Sequence, residues 1–143
     1  MSVLRALALV LILAAACGCE QRSQLHVSNA WSGALPPTAT VGAAYMTIES
    51  NVSDELLSAQ TPIAERIEFH TTQNANGMMQ MRELHRLSIE PKTPLTFSPG
   101  ANHMMLLGLR EPLVAGNTFP VTLQFKNSGS VAVTIQVRNG SAE

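Results

Sequence analysis

Past its first two dozen residues, the chain is a series of short runs in which apolar and polar residues alternate, cut by turn residues at close intervals. "RIEFHTT" is the clearest run: Ile67 and Phe69 fall on one face, Arg66, Glu68 and His70 on the other. "LHVSNAW", "AAYMTIES", "ELLSAQTP" and "HMMLLGL" read as further strands, and "FPVTLQFK" and "VAVTIQVR" as a hairpin across "NSGS". Asn76-Gly77 is a strong signal for a two-residue turn, with "MMQMREL" as the return strand. The paired prolines of "GALPPTATVG" exclude helix and central strand there, and "LSIEPKTPLTFSPGAN" supplies one or two short strands between Pro and Gly turns. The pattern holds no long amphipathic helix and no repeat. It predicts an all-β domain over residues 25–143, a β-sandwich or barrel of about eight or nine short antiparallel strands.

The N-terminus follows a different rule. Arg5 gives a positive start, and Ala6 to Ala16 form an apolar stretch too short to span a bilayer, ending in small residues. Residues 1–19 therefore read as an export signal, with residues 20–24 as a polar tether. "LAAAC" resembles a bacterial lipoprotein processing box cleaved before Cys17, although Ala14 stands where such boxes usually carry a branched residue. Lipidation of Cys17 and simple cleavage with release both stay open. Cys17 and Cys19 are the only cysteines, so the domain folds in an oxidising compartment without disulfides or thiolates.

Composition narrows the function further. A formal charge of −1 argues against a nucleic-acid partner. Four His and seven Met are conspicuous in a chain with 4% aromatics. With a two-residue turn at Asn76-Gly77, His70 faces Glu83 and Thr72 faces Met81. Met81 then becomes the diagonal neighbour of His70, about 7–8 Å away and within reach of a long side chain. On the other run His103 and Met105 share a face, while Met104 and Leu106 point oppositely. Each segment thus offers one imidazole and one thioether. Soft, neutral thioether sulfur selects Cu(I) over harder cations, and the lack of Cys excludes a zinc finger, an iron–sulfur cluster or a blue-copper centre.

The arrangement His70, ten residues, Met81, twenty-one residues, His103, any residue, Met105 matches the spacing of the periplasmic copper chaperones called PCu(A)C. "AWSGALPPTATVGAAYMTIES", "GMMQMR" and "HMMLLGLREPL" also resemble that family, over about Ala30 to Leu113. The resemblance implies a cupredoxin-like fold that binds Cu(I) through His70, Met81, His103 and Met105. It implies a periplasmic carrier, acting as a monomer, that passes copper to an acceptor such as a cytochrome c oxidase subunit (its CuA centre) or another copper chaperone. The alternative is a copper storage or tolerance protein with no dedicated oxidase acceptor. Contact with a membrane is expected only through a lipid at Cys17.

The remaining candidates take ordinary roles. Met78 and Met104 are expected to pack or shield, and Met79 is a spare ligand candidate. His26 and His85 lie outside the motif, the latter among charged neighbours on a solvated face. Trp31 and Tyr45 read as core or edge aromatics. Some members of that family carry a His/Met-rich C-terminal extension that adds copper capacity; with "RNGSAE" as the last residues, a second site of that kind is not expected. No Ser/His/Asp arrangement or phosphate loop stands out, so the expectation is a binding protein and not an enzyme.

Overall fold

The computed structural model describes residues 24–140; the expected export signal, Cys17 and nearly all of the expected tether lie outside the described residues. Ten strands follow one another: β1 (Leu25–Gly33), β2 (Val41–Ser50), β3 (Asp54–Gln60), β4 (Ala64–Ala75), β5 (Met78–Leu84), β6 (Leu87–Ile89), β7 (Leu95–Phe97), β8 (Asn102–Leu109), β9 (Thr118–Phe125) and β10 (Gly129–Arg138). No helix occurs among the described residues. The count exceeds the expected eight or nine because "LSIEPKTPLTF" yields two three-residue strands.

The strands run in the order β5-β4-β8-β2-β1-β10-β9-β3-β6, with β7 also on β2, and the path does not close. Every pairing is antiparallel except β1 with β10, where Trp31–Gly33 lie parallel to Gln136–Arg138. The first and last strands of the described residues meet there, a long-range crossover that local alternation does not encode. The sheet's two halves share one core: Met46 and Ile48 from β2, Phe69 from β4 and Met104 and Leu106 from β8 join Leu56, Ile89, Val121, Leu123, Phe125 and Ile135 from the other half. The β-sandwich expectation holds.

Alternation decides what each face of the first half does. On β4 and β8, Phe69, Met104 and Leu106 turn into the core, and Phe69 packs on Phe97 with ring centroids 6.0 Å apart. Their chain neighbours Glu68, His70, His103 and Met105 must point to the opposite face. The β4–β5 turn has the geometry that its Asn-Gly sequence predicts. Both residues take positive φ, 54° at Asn76 and 82° at Gly77, as a two-residue turn matched to strand twist requires. The Gly77 N–H donates to Asn74 Oδ1 at 3.0 Å, tightening the turn.

Candidate metal centre

Two strand pairings assemble the candidate residues. Between β4 and β8 the register sets His70 opposite His103, Glu68 opposite Met105 and Arg66 opposite Leu107. Between β4 and β5 it sets His70 opposite Glu83, Thr72 opposite Met81 and Asn74 opposite Met79. Met81 is therefore the diagonal neighbour of His70, in the register expected from the turn.

The imidazoles are the best-defined part of the group. Their ring centroids lie 5.9 Å apart. His103 is buried, with 5% of its surface exposed, and the His70 side chain is 19% exposed. The ring of His103 is tied through Nδ1 to the carbonyl of Ala101, at 2.9 Å. A carbonyl can only accept, so Nδ1 carries the proton and Nε2 keeps its lone pair. The same carbonyl accepts the backbone N–H of Thr72 at 3.3 Å, which links the anchor of one histidine to the strand of the other. His70 is held from its far nitrogen: Nε2 lies 3.0 Å from Glu68 Oε2. The remaining ring nitrogens, His70 Nδ1 and His103 Nε2, are both buried without a hydrogen-bond partner. Buried polar atoms are ordinarily paired, and leaving one unpaired costs about 1–3 kcal/mol. Two such atoms on rings that face each other across paired strands suit a soft cation that accepts both lone pairs.

The sulfur atoms differ from each other in setting. Met105 is half-buried and lines an open, largely apolar hollow of about 290 Å³ with Leu35, Val41, Ala43 and Tyr45. Met81 is 64% exposed on β5, the end strand of the sheet. Met79, on the same face as Met81, is equally exposed. Met104 is fully buried in the core, as its position predicts. Met78 does not pack as expected: it too is 64% exposed, because β5 ends the sheet and neither of its faces is covered. His26 is exposed on β1 opposite Glu49, and His85 is exposed beside Glu83 at 3.7 Å. Tyr45 is buried and Trp31 stacks on it, with centroids 4.7 Å apart and the Arg138 guanidinium above the indole. Burial pushes the Tyr45 hydroxyl pKa up.

Glu68 has a larger part in this geometry than its place in an alternating strand announced. Its Oε1 accepts from Arg66 Nε at 2.7 Å while Oε2 meets His70. The Arg66 hydrogen bond, reinforced by the one to His70, holds its carboxyl below the usual carboxylate range. The signal for it was Glu-x-His on one strand, which puts carboxylate and imidazole side by side on one face.

The described domain matches a family model described as "Putative lipoprotein LpqE-like" over residues 25–137. A protein of Leifsonia xyli subsp. xyli (strain CTCB07), "Putative lipoprotein Lxx21020", is 30% identical over 125 residues, covering 85% of this chain and 74% of that one. Among solved structures, apo-DR1885 from Deinococcus radiodurans is 32% identical with a TM-score of 0.63, covering 81% of this chain and 79% of that one. The CuI-DR1885 structure is 29% identical with a TM-score of 0.62, covering 87% and 83%. The copper-bound PCuAC domain from PmoF2 superposes with a TM-score of 0.68 at 19% identity, over 81% of this chain and 93% of that domain. The fold is thus the cupredoxin-like one of PCuAC domains, and by sequence the chain belongs to the LpqE-like family.

Proposed function

We propose that this chain is an exported copper carrier that binds one Cu(I) through His70, His103, Met81 and Met105. The observation that carries the reading is the pair of buried, unpartnered ring nitrogens, His70 Nδ1 and His103 Nε2, on facing strands. The donor chemistry agrees: two neutral imidazoles and two thioethers form a soft set for Cu(I). The likeness to CuI-DR1885, at 29% identity over most of both chains, supports it further. Met105 shares the face of His103 on β8, two residues along, and in this reading the long, flexible Met81 side chain swings in from the end strand to complete the set.

Neutral ligands at a site with one exposed member also suit release. An acceptor thiolate, the stronger donor for Cu(I), displaces Met81 first and then takes the metal by stepwise exchange. The acceptor in this reading is a cytochrome c oxidase subunit with a CuA-type site, or another copper chaperone. Residues 1–19 serve as export signal, Cys17 as the lipid attachment point and 20–24 as tether to a single binding domain. The lipoprotein description of the matching family supports that arrangement. The role is that of a binding protein and not of an enzyme.

Titration of the purified domain with Cu(I) under reducing conditions tests the reading. The expected result is about one equivalent bound with the unaltered chain, and strongly weakened binding in His103→Ala and Met105→Ala. Unchanged binding in both variants would sink the site.

A further inference from the structure

The two imidazoles are held in opposite ways, and the difference assigns a role to Glu68. Arg66, Glu68 and His70 alternate along one face of β4, and Glu68 grips both neighbours, Arg66 through Oε1 and His70 through Oε2. The carboxylate has no proton to give, so the short contact to His70 requires the ring proton on Nε2. A neutral imidazole carries one ring proton, and Nδ1 is left with the lone pair. That Nδ1 is the atom found buried and unpartnered. For His103 the roles are reversed: Nδ1–H is tied to Ala101 and Nε2 is the free atom.

We propose that Glu68 is a positioning residue that orients the His70 ring so that Nδ1, and not Nε2, is its copper-ligating nitrogen. The inference rests on the copper reading above, but half of its test needs no metal. Among the described residues the Glu68 oxygen is the hydrogen-bond partner that fixes the Nε2 edge of the ring, so without it no hydrogen bond sets how the ring is turned about its Cβ–Cγ bond. Arg66 keeps the carboxylate in place from the other side, which makes the contact a braced one. Glu68 is also directly across from Met105, between two proposed ligands. Its charge offsets that of a cation otherwise surrounded by neutral donors.

Nitrogen-15 spectra of the imidazole rings test this at a pH where the imidazoles are neutral. In the metal-free, unaltered protein the His70 proton is expected on Nε2, in slow exchange with water, and the His103 proton on Nδ1. A His70 proton on Nδ1 overturns the proposal. Cu(I) is diamagnetic, so the same spectra report the loaded protein, where His70 is expected to keep its Nε2 proton and bind through Nδ1. Copper on His70 Nε2 overturns the proposal. In Glu68→Leu the slow-exchanging Nε2 proton is lost, and Cu(I) affinity measured against a Cu(I) chelator falls about 10–100-fold, the range for loss of a group that orients a metal-binding histidine. A folded Glu68→Leu protein that loses less than tenfold overturns the proposal. If that variant does not fold, the spectra of the unaltered protein decide. Should the unaltered protein bind no Cu(I), the copper reading fails while the metal-free spectra still report on Glu68.

Discussion

Met104 and Met105 are neighbours in the chain with opposite surroundings. Met104 is fully buried in the core, and Met105 is on the other face, in an open hollow with Leu35, Val41, Ala43 and Tyr45. One residue type therefore has two settings, and the period-2 rule of a strand assigns them. Truncation separates the two. Met104→Ala leaves a cavity between two layers and costs about 2–5 kcal/mol of folding stability, with Cu(I) stoichiometry retained. Met105→Ala removes a side chain that packs on one side only, so its stability loss is smaller, while Cu(I) binding drops sharply. Urea unfolding and chelator competition on both variants check the pair; equal effects on both quantities would refute the division. At this scale the facing was readable, since alternation puts Met104 in the core and Met105 on the other side; the metal that the residue types suggest is what the Cu(I) titration tests. Glu68 was placed on the correct face beside His70, but nothing in the one-dimensional pattern says which nitrogen of the ring its carboxylate meets.

The β4–β5 hairpin is the element that carries half of the candidate site. Its register was legible because Asn-Gly fixes the turn at two residues and each later pair follows by counting, down to Thr72 opposite Met81. Exposure was not legible. Whether β5 lies at the end of the sheet depends on which strands pair with it, and the absence of a neighbour beyond it leaves Met78, Met79 and Met81 all facing solvent. Nor did the sequence announce the irregularity at Gly108, which takes φ 67° while the Glu65 side chain crosses where a Cβ would stand, 2.6 Å away. The hairpin supports a local prediction. Gly77 has φ 82° and open space around it, so Gly77→Ala meets no clash and costs only the left-handed backbone penalty, about 1–2 kcal/mol. That cost falls on an end strand which opens without unfolding the domain. Amide exchange across residues 78–82 is expected to speed up severalfold with the thermal midpoint nearly unchanged, and Cu(I) affinity to fall because Met81 is less often in position. A lowered midpoint with unaltered exchange at 78–82 would show that the turn is coupled to the core instead.

Across the whole molecule, the two halves of the sheet are joined by contacts far apart in sequence, and this is where the sequence said least. The parallel seam of β1 with β10 is one such contact. Asp54, at the start of β3, is another: its carboxylate accepts backbone N–H groups from Glu55 at 2.8 Å and from Asn127 and Ser128, each at 2.9 Å, in the β9–β10 turn. An Asp after "NVS" reads as an ordinary turn residue, and only the fold brings the second turn to it. Burial by itself would raise the Asp54 pKa, but the hydrogen bonds from Ser128 and from the backbone of Asn127 and Glu55 outweigh it, and the net shift is downward. A carboxylate whose folded pKa lies below its unfolded value stabilises the fold at any pH above the unfolded value, about 4 for aspartate, and loses that contribution as pH falls through the folded value. Asp54→Ala leaves the turn's N–H groups without their acceptor and is expected to cost about 1–3 kcal/mol at neutral pH. The difference between the two proteins should shrink as the pH drops below about 4, because the wild-type carboxylate protonates and the variant has nothing there to lose. Urea unfolding of both proteins across that range measures the difference directly. A gap that stays constant down to the acid limit would mean that the clamp acts by shape and not by charge, and the clamp's link to pH would be withdrawn.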